Sequence, residues 1–168
     1  MIATVMIYAM ALLIGVVAGL RAMTAPAAIA WAAFLGRLDL SGNWLAFMGH
    51  IATPCIFTLL AAGELVTDQL PSTPSRKVPV QFGARIVSGG LCGAAIGAAD
   101  GSWIGGMAAG ILGAVIGTIG GADARAGLAR MVGKDRPVAI AEDIIAIGGA
   151  IIVAGALGRA GAAATGLM

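Results

Sequence analysis

The sequence predicts an all-α integral membrane protein: a compact bundle of about six transmembrane or membrane-embedded helices, one transmembrane domain over residues 1–168. Three observations predict it. Charged residues make up only 11% of the chain, hydrophobic residues 60%, and the mean hydropathy is +0.99. A soluble domain this small has too much surface for its volume to hide so many apolar side chains. Apolar stretches recur at lengths near the ~20 residues that a bilayer crossing needs, too long and too uniform for barrel strands. Finally, the chain holds 37 Ala and 27 Gly, the small residues that let helix backbones approach closely in lipid. These features exclude a free-standing soluble enzyme, a nucleic-acid-binding module and a disordered tail, and the net charge of +2 is too small for a polyanion binder.

Taken in order, residues 2–20 form the first apolar segment. It lacks the basic residues that open a cleavable signal peptide, so it is expected to be a retained helix. Arg21 interrupts, and 22–36 is apolar again, with Pro26 near its start, where a first helical turn tolerates proline. This pair is either two crossings, a crossing plus a re-entrant half-helix, or one kinked helix. A polar connection spans 37–43. The third segment, 44–66, starts at Trp44, a residue that favours the membrane interface, and Pro54 within it is expected to kink the helix or free a carbonyl. A loop at 71–80 contains three prolines. Residues 82–99 and 102–121 are the fourth and fifth segments, separated by Asp100-Gly101. A polar, basic loop is expected over 122–136, a sixth segment over 137–157, and a Gly/Ala tail to Met168.

Counting Lys and Arg by side orients the bundle. Six crossings place Arg21, Arg76, Lys77, Arg85, Arg125, Arg130, Lys134 and Arg136 on one side and Arg37 and Arg159 on the other. Loops 70–80 and 122–136 are therefore expected to be cytoplasmic.

Glycines recur every fourth residue: Gly89, Gly93, Gly97, Gly101 and Gly105, then Gly106 and Gly110, then Gly113, Gly117 and Gly121. Spacing of four puts them on one helix face and suits close helix contact. That contact is packing within the chain, a subunit interface that makes the chain a homo-oligomer, or the lining of a narrow pathway.

Charges inside apolar segments are expensive and belong in protein interiors or water-filled cavities. Arg21, Glu64, Asp68, Arg85, Asp123, Arg125, Glu142 and Asp143 all fall toward the cytoplasmic leaflet. The residues that form the candidate ion or substrate pathway are Arg21, Glu64, Asp68, Arg85, Arg125, Glu142 and Asp143. Arg21 is expected to pair with Glu64 or Asp68, and Arg85 or Arg125 with Glu142 or Asp143. The opposing reading is structural ion pairing at helix ends.

No metal site, cofactor or catalytic residue is expected. His50 is the only histidine and is taken as a packed or interface residue; metal sites need three or four ligands. Cys55 and Cys92 lie in apolar stretches and are expected to be buried and unpaired. No nucleophile–base arrangement, CxxC, HExxH or phosphate loop is present, so the chain is not expected to be an enzyme.

Several motifs carry a resemblance. They are Ala18-Gly19-Leu20-Arg21, then Gly63-Glu64-Leu65-Val66-Thr67-Asp68-Gln69-Leu70-Pro71, then Arg85 opening a Gly/Ala helix. Together they resemble the bacterial membrane family called domain-of-unknown-function 4126, with its Ala-Gly-Leu-Arg, Glu-Leu-x-x-Asp-x-x-Pro and Arg-x-x-x-Gly/Ala stretches; Gln69 departs from the Lys that often follows the Asp. The resemblance covers most of the chain and implies no activity. It implies that Arg21, Glu64, Asp68 and Arg85 belong together, and a bacterial inner membrane as the location.

Two functions fit these features. One is a small transporter or channel for an ion or solute, with a charged cytoplasmic vestibule. The other is a non-catalytic membrane scaffold or accessory subunit that associates through its glycine ladder. In both, the lipid bilayer is the partner and nucleic acid is not.

Overall fold

Proline and glycine set the element boundaries. The computed structural model describes residues 2–68, 78–99 and 101–164. Among these the chain forms six α-helices and one 3₁₀ turn, without a strand. The helices are α1 (Ile2–Leu20), α2 (Thr24–Phe34), α3 (Ala52–Thr67), α4 (Pro79–Ala98), α5 (Trp103–Val132) and α6 (Asp135–Ala164), and the 3₁₀ turn is Ala46–Gly49. Two helical stretches, Trp103–Val132 and Asp135–Gly158, are long and apolar enough to cross a membrane. At 11 residues, α2 is about 16 Å long.

Several boundaries differ from the sequence expectation. The third helix starts at Ala52, not at 44, and Trp44 lies outside it, edge-on to Trp103 with ring centroids 6.0 Å apart. Pro54 thereby falls in the first turn of α3, where its missing N–H costs nothing, and it does not kink the helix. Pro79 opens α4 at the first helical position, a favoured site because its φ is already helical. The rest of the proline-rich loop, 71–77, lies outside the described residues, as does Asp100.

The expected loop over 122–136 is mostly helix. The stretch Ala-Asp-Ala-Arg-Ala-Gly-Leu-Ala-Arg-Met is polar but rich in strong helix formers, and α5 runs through it to Val132. The helix stops at Gly133, whose φ of 72° is the left-handed conformation that closes helix C-termini. Gly101 likewise has a φ of 74°. It sits in the turn between α4 and α5, with nothing within 4 Å of where its Cβ would be, and so leaves the expected one-face ladder.

Helices α1, α4 and α5 pack against one another through glycine and alanine. A Cβ added at Gly19 would lie 2.5 Å from the Ala114 carbonyl oxygen, and one at Gly97 2.5 Å from that of Ser102. At Gly89 it would lie 2.8 Å from the Gly110 carbonyl oxygen. At Gly93, Gly106, Gly110, Gly113 and Gly117 it would approach a facing carbonyl oxygen more closely still. Helix α5 thus presents Gly106 and Gly110 to α4, and Gly113 and Gly117 to α1. Gly105 faces the ring of Tyr8 instead, whose hydroxyl donates to Ser102 Oγ at 3.0 Å. Cys92 is buried in this core, whereas Cys55, on the outer face of α3, is exposed.

Around these three, α2 is buried at seven of its 11 residues and packs on α3, α6 and α4, while α3 rests on α2 and the 3₁₀ turn. Large apolar side chains cover the outside, among them Leu59 on α3, Val87 on α4, Leu112 on α5, and Ile144 and Ile152 on α6.

The close approach makes a prediction. Gly97→Leu and Gly113→Ile should each lower thermal stability in detergent, by roughly 1–3 kcal/mol or more, because the bulk lands on backbone. Gly127→Ala and Gly155→Ala, with nothing within 4 Å, should be neutral or raise it by up to ~1 kcal/mol. Equal effects in both groups would refute the packing assignment.

Candidate functional site

A helix interrupted inside apolar surroundings leaves carbonyls at one end and amides at the other without intrahelical partners. The break between α1 and α2 at 21–23 is such a place, and side chains from other helices fill it. On α4, Arg85, 1% exposed, donates from Nη1 to the carbonyls of Gly19 at 3.2 Å and Leu20 at 2.8 Å, the last of α1. On α3, the Glu64 carboxylate accepts from the amides of Ala22 at 2.7 Å and Met23 at 2.8 Å, just ahead of α2. A cation thus meets the negative end of α1 and an anion the positive end of α2, as the helix dipoles favour. The two side chains are themselves a pair, Arg85 Nη2 to Glu64 Oε1 at 3.8 Å. One turn along α4, the Ser88 hydroxyl donates to the Ala22 carbonyl. Thr118 of α5 donates to the Ala114 carbonyl at 2.7 Å and reaches that of Gly19 at 3.3 Å.

Arg21 occupies the break itself and is 0% exposed. Its guanidinium pairs with Asp68, at the end of α3, through Nη1, and with Asp143 of α6 through Nη2. Farther out, Arg125 of α5 grips Asp135 through Nε at 2.9 Å and Nη2 at 2.6 Å, and lies 3.6 Å from Glu142 of α6.

The structure therefore brings all seven candidate residues to one end of the bundle. Arg21 meets Asp68 and not Glu64, and Glu64 goes to Arg85. Asp143 belongs to Arg21, and Glu142 to Arg125. Asp123 is exposed on α5. Sequence reasoning missed Ser88, Thr118 and Asp135. Ser88 was findable, since it shares a helix face with Arg85 three residues earlier. Asp135 was hidden by reading its segment as a loop, and Thr118 carries no signal in sequence.

The other polar features lie elsewhere. A cavity of 560 Å³ opens at the far end of α2, lined by Ala33, Gly36, Leu38, Asp39, Leu40, Ser41, Ala46 and Gly49. There the Ser41 hydroxyl and amide hold the Asp39 carboxyl below its ordinary range. His50 is exposed and accepts from the Ala52 amide at 3.3 Å, a local contact at the start of α3. Among the described residues no group of three or more His, Cys, Asp or Glu comes together to hold a metal ion.

Removing one partner of a buried pair costs more than removing both. Arg21→Ala strands Asp68 and Asp143 and should destabilise the fold by about 3–5 kcal/mol. Glu64→Ala and Arg85→Ala should each destabilise, and their double variant by about 1–3 kcal/mol less than the sum. Thermal unfolding in detergent reads all of these; strict additivity would remove the Glu64–Arg85 pair.

Comparison with protein-family models, with curated proteins and with solved structures finds no match to this chain.

Proposed function

We propose that this chain is a small polytopic protein of a bacterial inner membrane that moves a small ion or solute, with its site at the charged break between α1 and α2. The observation that carries the reading is that break, with its backbone groups held by Glu64, Arg85 and Ser88 and with Arg21 seated between Asp68 and Asp143. Discontinuous helices with charged or polar groups at the interruption are how many membrane transporters build their substrate and ion sites. Irregular backbone within a membrane is tolerated where protein or a cavity covers it.

Membrane embedding draws support from the apolar outside, where Leu59, Val80, Val87, Ile144, Ile151 and Ile152 are among the exposed side chains. Lipid is the solvent that accepts such a surface. Helix α2, at about 16 Å, is shorter than the ~30 Å hydrocarbon core, which favours the half-crossing form of the first pair. The orientation rests on the eight-to-two count of basic residues, which places the α5–α6 turn in the cytoplasm.

The scaffold reading keeps one observation in its favour. The charged side chains are paired with one another, which is also what a purely structural cluster requires.

Two experiments decide. In a variant with Cys55 and Cys92 replaced, Lys134→Cys should resist an impermeant thiol reagent added outside intact cells, and ready labelling would overturn the orientation. Purified protein in liposomes should pass current on steps of K⁺, Na⁺, Cl⁻ or pH, and Glu64→Gln should cut it about tenfold, a loss equal to 1.4 kcal/mol. Silence toward all four, with the Glu64–Arg85 coupling intact, would leave the scaffold.

A further inference from the structure

The turn between α5 and α6 mixes exposed cations with exposed apolar side chains. Arg130, Lys134 and Arg136 are exposed there, and among the described residues no carboxylate pairs with any of them. The nearby acids are already engaged. Asp135 is held by Arg125, which also reaches Glu142, and Asp123 has a contact of its own. Residues 69–77, outside the described set, add Arg76 and Lys77 and no acid. Among the cations stand Leu128, 49% exposed, Val132, 55%, and Met131, 84%.

Each arginine closes an outward apolar stripe. On α5, Leu112, Ile116 and Ile119 are exposed at helical spacing, and Arg130 falls on the same face, about five turns beyond Leu112. On α6, Ile140, Ile144, Ile147 and Ile151 form the stripe, and Arg136 precedes it by one turn. Tryptophan favours the membrane–water interface, and Trp103, which opens α5, lies edge-on to Trp44. Counted from Trp103, Ile119 lies about 24 Å along the helix and Arg130 about 40 Å. A hydrocarbon core of ~30 Å ends between them, and a bilayer with its headgroups is ~40–45 Å thick. On the membrane reading above, Arg130 and the turn after it therefore stand at the level of the lipid headgroups.

We propose that the α5–α6 turn binds the headgroup of an anionic phospholipid of the cytoplasmic leaflet, with Arg130, Lys134 and Arg136 around its phosphate. This site depends on the membrane placement and orientation in the reading above, and not on transport. Both kinds of side chain answer one occupant. The phosphate takes the cations, and the acyl chains beside it take Leu128, Met131 and Val132; a free phosphate offers nothing to the apolar ones. Charge then selects among lipids. A phosphatidylethanolamine or phosphatidylcholine headgroup carries a cation next to its phosphate, which repels these side chains. Phosphatidylglycerol carries none and keeps its net negative charge. Anionic lipids of the cytoplasmic leaflet attract basic segments at the membrane surface in this way.

Lipid retention tests the site. The full chain, purified in detergent, is given equal amounts of phosphatidylglycerol and phosphatidylcholine with the same acyl chains, and the lipid that stays bound through gel filtration is counted. Phosphatidylglycerol should be retained in excess. Arg130→Gln, Lys134→Gln and Arg136→Gln should each lower the ratio about fivefold, while Arg37→Gln, at the other end of the bundle, should leave it unchanged. Raising the salt from ~0.1 M to ~1 M should remove the preference in the parent, because screening then acts within about 3 Å. Equal retention of the two lipids overturns the proposal. So does a ratio that all three variants leave intact, a ratio insensitive to salt, or displacement of phosphatidylglycerol by inorganic phosphate, which would make this a site for the free anion. A chain that stays dispersed without detergent overturns the membrane reading and this site together. A detergent-dependent chain without the lipid preference overturns this site alone.

Discussion

The cost of leaving backbone amides and carbonyls without partners inside an apolar bundle governs this structure. Each such group costs free energy on the scale of a lost hydrogen bond, and more where water is absent. The break at 21–23 creates several at once. Glu64 answers two amides, Arg85 two carbonyls, and Ser88 and Thr118 one each from the sides. Because these side chains come from α3, α4 and α5, the break fixes where those helices stand. The polar core is thus a consequence of the interruption.

Glycine contacts divide the molecule a second way. Between α1, α4 and α5 the backbones lie so close that a single added Cβ would strike a carbonyl oxygen at most of the facing positions. Such contacts leave no slack and give a stiff three-helix core. Helix α3 has no such seam. It leans on α2 and the 3₁₀ turn and is tied to the core by Glu64 and Asp68. Polar ties can be exchanged, while interlocked backbones cannot slide. Any rearrangement that leaves the core intact therefore passes through these ties.

Much of the architecture was legible in the sequence, and the misses share a cause. The all-helical fold follows from long apolar segments, and the convergence of Arg21, Glu64, Asp68 and Arg85 follows from the cost of charge in apolar surroundings. What failed was the inference from polarity to loop. The stretch from Ala122 to Val132 is polar but helical, because propensity and not hydropathy decides local backbone. The converse error put 44–51 into a helix, because its residues are apolar. Pairing within the charge cluster was not legible either. Spacing tells which charges share a helix face, but the choice between Glu64 and Asp68 for Arg21 depends on helix rotation, which only the packed structure sets. Gly101 shows the same limit: its spacing fits the ladder, yet the chain turns there.

The electrostatics of the break also divide the work among its charged side chains. Arg85 against the carbonyl end of α1 and Glu64 against the amide end of α2 cancel the fields of the two half-helices, and the two side chains cancel each other. That part of the break is held by hydrogen bonds on both sides. Arg21 adds a second tie, since its one guanidinium meets both Asp68 at the end of α3 and Asp143 of α6. The capping groups hold the frame, and Arg21 joins α3 and α6 to it.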